Sequence, residues 1–435
     1  MNSKLTRRFS FLVLLIVCLL GLQAATAQQT PAQWFKGNLH THSFWSDGQQ
    51  FPEMVALWYQ QHGYNFLALS EHNNISQGTK WIDINKDQVR RDAFEKYRSR
   101  FPSTWIEIRP QDENLLVRVK PINEYRCMVE QPGRFLLIPT EEITHGLAHL
   151  NVVNSVDLIK PLDGKTAAEV LQKNIDAIVR QRNETGRPML AHINHPNWRW
   201  MLTAEDLMVQ KDVMFFELYN GGGANINNYG DEKRSGTERM WDIILTKRLA
   251  ESHLGVMYGI ATDDTHHYTG AGTNRSLPGR GWVMVRSFHL TPESIVRAMQ
   301  AGDFYASTGV VINDFQFDGK TLKINIKPET GVSYTTEFIG TLKGYDPSSK
   351  PVLDENGKPY LDDEGKPLRI TKIYSDDIGR LLKKVDGASA AYTLTGNEIY
   401  LRATVRSNKI KTNPHVEGEF EVAWIQPVFP KKTVK

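Results

Sequence analysis

An apolar run that stops at a cluster of histidines and acids recurs along this chain. Leu39 leads into His40-Thr41-His42, with Ser46-Asp47-Gly48 just behind. Phe66 to Ser70 runs into Glu71-His72-Asn73, and Phe135 to Ile138 is followed by Glu141, Glu142, His145 and His149. Met189 to Ala191 ends in His192-Ile193-Asn194-His195-Pro196, Phe215 to Tyr219 in Asn220 and three glycines, and Val256 to Ala261 in Thr262-Asp263-Asp264-Thr265-His266-His267. Short apolar runs of this kind read as buried strands, and helical patterns lie between several of them. Pro52 opens one helix, with Met54, Leu57 and Trp58 on one face and Gly63 past its end. Thr166 to Arg182 carries Leu171, Ile175, Ile178 and Val179 at helical spacing; Glu238 to Glu251 is a third helix, and Thr291-Pro292 caps a last one that stops at Gly302. Polar chemistry that falls just past each strand predicts an α/β barrel with its site at the C-terminal face.

Two stretches depart from that alternation. Asn74 to Gly133 is mixed, with one helical piece near Asp92 to Arg100, and is expected to be an insertion over the site. From about residue 310 short alternating segments take over: Thr321 to Ile326, Tyr392 to Leu394, Glu398 to Val405 and Glu419 to Ile425 are expected to form a sandwich-like all-β domain. Between them Asp354-Glu355-Asn356-Gly357-Lys358-Pro359 is echoed by Asp362-Asp363-Glu364-Gly365-Lys366-Pro367, spaced like the two ends of a surface hairpin.

The N-terminus has the form of a secretory signal. Lys4, Arg7 and Arg8 precede an apolar run from Phe9 to Leu22, and Ala25-Thr26-Ala27 offers a small-residue cleavage site. The run is short for a membrane span, so an exported, periplasmic or secreted protein without a span after cleavage is expected. Of two cysteines, Cys18 would leave with the signal, and Cys127 alone can make no internal disulfide. The signal holds three of the 52 basic residues and no acid, so 52 less three leaves 49 basic against 49 acidic groups. A mature chain of zero formal charge argues against a nucleic-acid partner, which would want a basic stripe. The resulting division is a signal over residues 1–27, a barrel over 28–308 and a β domain over 309–435.

The chemistry follows from residue type. Histidines two apart in an extended chain present both imidazoles to one side. His40, His42, Asp47, His72, Glu142, His149, His195, Asp264 and His266 supply imidazole and carboxylate without thiolate, a donor set that suits zinc, manganese or iron. Nine ligands exceed what one ion takes, so two or three divalent metal ions are implied.

These residues resemble the PHP family, named for polymerases and histidinol phosphatases. The resemblance is carried by His40-Thr41-His42 with Ser46-Asp47-Gly48, by Glu71-His72-Asn73, by His149 and by Asp264-Thr265-His266; Glu142 and His195-Pro196 resemble further metal-binding positions of the family. It spans roughly residues 36 to 308. The family usually has Asp where Glu71 stands and Gly where Thr140 stands. The resemblance implies a distorted (β/α)7 barrel, a two- or three-metal centre, and hydrolysis of a small phosphorylated substrate, a phosphomonoester or phosphodiester, by water activated between the metals.

Around that set, His192 and Arg199 are candidate catalytic residues. Trp198 and Trp200 beside Arg199 could form a substrate platform, and Arg275 and Arg280 are further candidates for a phosphate clamp. Asp263 is expected to orient a ligand or cap its loop, and Gly221-Gly222-Gly223 to be a flexible turn. The same metals could serve attack on an amide, ester or lactone. A degenerate barrel whose C-terminal domain binds glycans or a partner is the remaining alternative.

Overall fold

The computed structural model describes residues 31–430; the expected signal segment lies outside the described residues. In chain order the first part comprises β1 (Gln33–Asn38), α1 (Pro52–Gln61), β2 (Phe66–His72), β3 (Lys80–Asp83), α2 (Gln88–Arg100), β4 (Ile108–Gln111), β5 (Asn114–Val119), α3 (Ile122–Val129), β6 (Leu136–His145) and β7 (Ala148–Val153). It continues through α4 (Ala167–Thr185), β8 (Leu190–Ile193), α5 (Ala204–Met208), β9 (Phe215–Asn220), α6 (Thr237–Thr246), β10 (Tyr258–Thr262), β11 (Trp282–Ser287), α7 (Pro292–Gln300) and β12 (Phe304–Ser307). The remaining described elements are strands: β13 (Ile312–Phe317), β14 (Thr321–Ile326), β15 (Tyr334–Leu342), β16 (Ser349–Lys350), β17 (Ile373–Tyr374), β18 (Arg380–Asp386), β19 (Ser389–Thr393), β20 (Glu398–Ile410) and β21 (Phe420–Val428).

The fold is mixed α/β. One 13-stranded sheet runs β10-β9-β8-β7-β6-β2-β1-β11-β12-β21-β20-β15-β18. Among the seven strands from β10 to β1, the pairs β1–β2, β2–β6, β8–β9 and β9–β10 are parallel, while β6–β7 and β7–β8 are antiparallel. Past the ends of β1 and β10 a parallel bridge joins Thr41 to Thr265, with His42 N donating to Thr265 O at 2.9 Å and Asp264 N to His40 O at 2.9 Å. The first and last of the seven are thereby tied together at the end where the histidines lie. Apolar strand residues such as Phe66, Ala68, Ile138, Leu190, Phe215 and Ile260 fill the space between the strands and α7.

Helix boundaries follow the signals in the sequence. Thr166 caps α4 by accepting from Glu169 N, and Gly186 ends it at φ 64°, a left-handed conformation that glycine adopts without strain. Thr291 caps α7 by accepting from Ser294 N. The helix expected over Glu238 to Glu251 is α-helical only to Thr246 and runs on as a π-helical turn from Lys247 to Ser252.

The insertion contains more than its one expected helix. β3, β5 and β4 form a small antiparallel sheet, and with α2 it packs Ile82, Phe94, Tyr97 and Val117 against Phe44, Trp45 and Phe51 of the site-bearing segment. The echoed turn motifs also differ from expectation. Each closes its own tight loop, bridged Leu353–Pro359 and Leu361–Pro367, because the Asp at the head of each motif caps its own turn.

The C-terminal strands extend the main sheet through the antiparallel pair β12–β21, and the sheet β13-β14-β19 faces that extension across a core of Phe315, Leu322, Ile324, Phe338, Leu401 and Val405. No helix among the described residues is long and apolar enough to cross a membrane.

Lys36 on β1 gives a measurable trace of this packing. Its ammonium lies 4.0 Å and 3.9 Å from the ring centroids of Tyr64 and Trp282. Burial pushes it down to about 8, against the attraction of Asp263. Below that value the ammonium is charged in both the folded and the unfolded chain. Above it, up to the ordinary lysine range, the unfolded chain holds a proton that the folded chain has lost, so stability rises with pH by up to about 1.4 kcal/mol per unit. Denaturant titrations from about pH 8 to about pH 10 are expected to show this rise, and Lys36→Met to lose it.

Candidate functional site

The nine residues singled out in the sequence converge at the tied end of the seven strands. His40 and His42 follow β1, Asp47 lies on the next turn, and His72 ends β2. Glu142 sits on β6, His149 lies on the neighbouring β7 opposite Thr144, His195 follows β8, and Asp264 and His266 follow β10. Glu142 and His149 are strand residues because β6 continues through the polar stretch to His145 and turns directly into β7. Period-2 alternation then turns Glu142 inward beside the histidines.

Glu142 is the hub. Its Oε2 lies 3.5 Å from His40 Nε2, 3.5 Å from His42 Nε2 and 2.8 Å from His72 Nδ1; its Oε1 lies 2.9 Å from His149 Nδ1 and 3.4 Å from His195 Nε2. Asp264 Oδ1 lies 3.2 Å from both His40 Nε2 and His42 Nε2. Asp47 Oδ1 is 3.2 Å from His266 Nε2 and 3.5 Å from His72 Nε2. Four overlapping groups result: His42-Asp47-His72-His266, His40-His42-Asp264, His40-Glu142-His195 and His72-Glu142-His149, each with ligand atoms within 4.8 Å of one another.

The donor atoms fit divalent cations. His40 Nε2, His42 Nε2 and Glu142 Oε2 are buried and have no hydrogen-bond partner. Buried polar atoms are seldom left so, and three that converge on one point call for a cation between them. Burial opposes ionisation of Glu142, yet His72, His40 and His149 outweigh it and hold the carboxyl well below the usual range. Burial also opposes a charged His40, but Asp264, Glu217 and Glu142 hold it well above the ordinary histidine range, so positive charge is stabilised there. His42, pushed down to about 3 by burial with His266 and His72 beside it, stays a neutral imidazole, the form that binds metal.

The cluster is open on one side. His40, His42 and Glu142 are fully buried, whereas the side chains of His72 and His266 keep 27% and 22% of their exposure and that of Asp47 keeps 58%. A ligand therefore meets the Asp47 edge first.

Several partners of the cluster were not singled out in the sequence. Glu217, fully buried on β9, approaches His40 Nδ1 at 2.7 Å through Oε1 and accepts from His195 N at 2.7 Å, Asn220 Nδ2 at 2.8 Å and Thr262 Oγ1 at 2.8 Å. An Nδ1–H donated to Glu217 leaves His40 Nε2 as the free lone pair toward the cluster. Glu217→Gln is expected to lower metal affinity by about 10- to 100-fold with the fold intact, read by competition with a fluorescent chelator. Asn194 Nδ2 donates to Glu142 Oε1 at 2.9 Å, and Thr144 Oγ1 lies 2.6 Å from His72 Nδ1. Glu71, which the sequence did mark, accepts from Ser43 N and from the hydroxyls of Ser43 and Ser46, so it fixes the loop that carries Asp47.

Other sequence candidates lie as follows. His192 is fully buried behind His40, with ring centroids 6.3 Å apart and neither ring nitrogen hydrogen-bonded. Arg199 is exposed and stacks on Trp198 at 4.9 Å, and Trp198 in turn lies 5.2 Å from His149 and 5.5 Å from His195. Arg199 and Trp200 adopt φ of 49° and 57°, and Asp264 φ of 47°, strained values that a scaffold maintains around a site. Asp263 accepts from the backbone N–H of Gly279, Arg280 and Gly281 and so caps its loop. Arg280 spends its guanidinium on the carbonyls of Gly221, Arg275 and Gly272, which leaves it no phosphate-clamp role. The Gly221-Gly222-Gly223 segment is packed where a flexible turn was expected. A Cβ on Gly222 would lie 2.5 Å from Ile226 Cδ1, and one on Gly221 2.6 Å from Arg280 Cβ.

No family model matches the sequence, and no curated protein matches it. Among solved structures the chain is similar to a two-domain protein from Bacteroides vulgatus ATCC 8482 containing a predicted PHP-like metal-dependent phosphoesterase. The identity is 13%, the match covers 91% of this chain and 95% of that one, and the TM-score is 0.38. It is also similar to a candidate metal-dependent phosphoesterase from Bifidobacterium adolescentis ATCC 15703, at 10% identity over 56% of this chain and 92% of that one, with a TM-score of 0.27.

Proposed function

We propose that this protein is an exported metal-dependent phosphoesterase, its centre of two or three divalent ions held by His40, His42, Asp47, His72, Glu142, His149, His195, Asp264 and His266. On this reading the seven strands from β10 to β1 are a distorted (β/α)7 barrel, and the described residues from 309 onward are a β-sandwich-like domain on its flank. The observation that carries it is the convergence of buried His40 Nε2, His42 Nε2 and Glu142 Oε2, none of them in a well-formed hydrogen bond, within four overlapping ligand groups, two of which contain Glu142.

Divalent ions in such a centre activate water as a nucleophile and neutralise charge on phosphoryl oxygens. The chain supplies position. Glu217 and Asn194 hold the His40 and Glu142 donors in place, and the partly exposed Asp47, His72 and His266 form the entrance. Arg199, flattened on Trp198 beside His149, offers a guanidinium fork to a phosphoryl group entering there. His192, fully buried with its ring centroid 6.3 Å from that of His40, acts on the centre through His40.

Assay of the metal-supplemented protein with p-nitrophenyl phosphate, bis(p-nitrophenyl) phosphate and p-nitrophenyl acetate tests this reading. Turnover of a phosphate ester with the acetate untouched supports it. Turnover of the acetate alone moves the chemistry to a carbonyl centre, and no turnover of any with metal bound contradicts an enzyme of either kind.

A further inference from the structure

We infer that the insertion supplies a second, anion-binding subsite at the open edge of the cluster, and that the substrate is a small phosphoester whose tail ends in a compact anionic group, carboxylate or phosphate. The inference rests on the phosphoesterase reading for its first anion and on Lys80 and Arg90 for its second.

A cavity of about 230 Å³ adjoins the cluster, walled by Ser46 and Asp47 on one side and by Lys80, Ile82, Asp87 and Arg90 of the insertion on the other. Asp47 belongs to both: its Oδ1 lies 3.2 Å from His266 Nε2 in the cluster. One small molecule can therefore touch the cluster and the cavity together. Lys80 Nζ donates to Trp45 O at 2.7 Å, which holds the ammonium on the loop that carries Asp47, two residues away. It has no ion-pair partner among the described residues; Glu71 and Asp47 attract it only through space. The Asp87 carboxylate is already committed to Arg90, accepting from its backbone N at 2.8 Å and from Nη1 at 2.9 Å, while Arg90 Nε is buried without an acceptor.

Charge and size then select the ligand. Asp87 is paired with Arg90 and Asp47 with His266 and His72, so Lys80 is the cation of the wall without a direct ion pair, and Arg90 Nε is a donor without a partner. A buried or half-buried cation of this kind calls for an anion. The cavity, at about 230 Å³, is smaller than the ~300–1,000 Å³ of sites that take drug-sized ligands, which keeps the tail small, while the cations of its wall favour an anionic end.

The experiment compares ethyl phosphate with 2-phosphoglycolate and ethane-1,2-diyl bisphosphate, whose tails are neutral, carboxylate and phosphate. Lys80→Met is expected to cut kcat/KM for the charged-tail substrates by about 10- to 100-fold, to leave ethyl phosphate little changed, and to be rescued in part by Lys80→Arg. The tail that suffers the larger loss identifies the natural group. Equal effects on all three, or none, overturn the subsite. If the wild type turns over no phosphate ester, the phosphoesterase reading fails separately, and calorimetry decides the subsite alone. In that case 3-phosphonopropionate must bind more tightly than propylphosphonate, with the difference lost in Lys80→Met; equal binding overturns it. Thermal melting of each variant reports that the fold is kept.

Discussion

Glu142→Ala is expected to lower phosphoesterase kcat/KM on the order of a thousandfold and to remove more than one equivalent of metal, as several kcal/mol of charge stabilisation is lost at once. The reason is geometric. Glu142 Oε2 faces His40, His42 and His72 while Oε1 faces His149 and His195, so one carboxylate belongs to two of the ligand groups and borders the others. Removing it takes a negative charge from between donors that would hold separate cations. His72→Ala makes the contrast, since His72 lies at the partly exposed edge beside Asp47 and is expected to cost about one equivalent. Metal analysis of the dialysed variants beside the wild type reads both. Unchanged metal content and turnover in both variants would mean that the cluster is no catalytic centre.

The second large effect concerns stability. Arg402 on β20 and Asp242 on α6 form a buried two-point pair, Nε to Oδ1 at 2.7 Å and Nη2 to Oδ2 at 2.6 Å, with side-chain exposures of 2% and 6%. Tyr400 also donates to Asp242 Oδ1, at 2.8 Å. Arg402→Met strands the Asp242 carboxylate in the seam between α6 and the C-terminal strands and is expected to cost about 3–5 kcal/mol. The double variant Arg402→Met with Asp242→Leu removes both charges and is expected to recover most of that loss, because two desolvated ions are then replaced by apolar packing. Denaturant unfolding of the three proteins decides it; a double variant no more stable than the single one would mean that the seam needs the pair itself.

The site was legible where composition changes abruptly. Apolar runs that end in His and acid residues mark strand ends, and all nine residues chosen on that ground meet in one cluster. Glu217 was missed because it sits inside an apolar run, Phe215-Phe216-Glu217-Leu218-Tyr219, where periodicity shows only a buried strand. A signal was present all the same: a carboxylate in a buried strand is costly unless it is paired, so Glu217 had to face polar partners. The hairpin between β6 and β7 was hidden for a related reason, since Glu141, Glu142 and His145 look like loop residues until the strand is seen to carry them inward. Arg280 and the three glycines could not be read from local sequence. Their roles depend on long-range packing, Arg280 Nη1 on Gly221 O at 2.9 Å across 59 positions of the chain.

Chelation followed by metal titration tests the central claim most directly. The protein is stripped with a chelator, dialysed, and assayed on p-nitrophenyl phosphate while zinc, manganese or iron(II) is added back in stoichiometric steps. Activity is expected to vanish on stripping and to return only as the second or third equivalent binds, in line with ligand groups that share Glu142, His40, His42 and His72. Hydrolysis that survives chelation, or that is complete at one equivalent, would contradict a shared multi-metal centre.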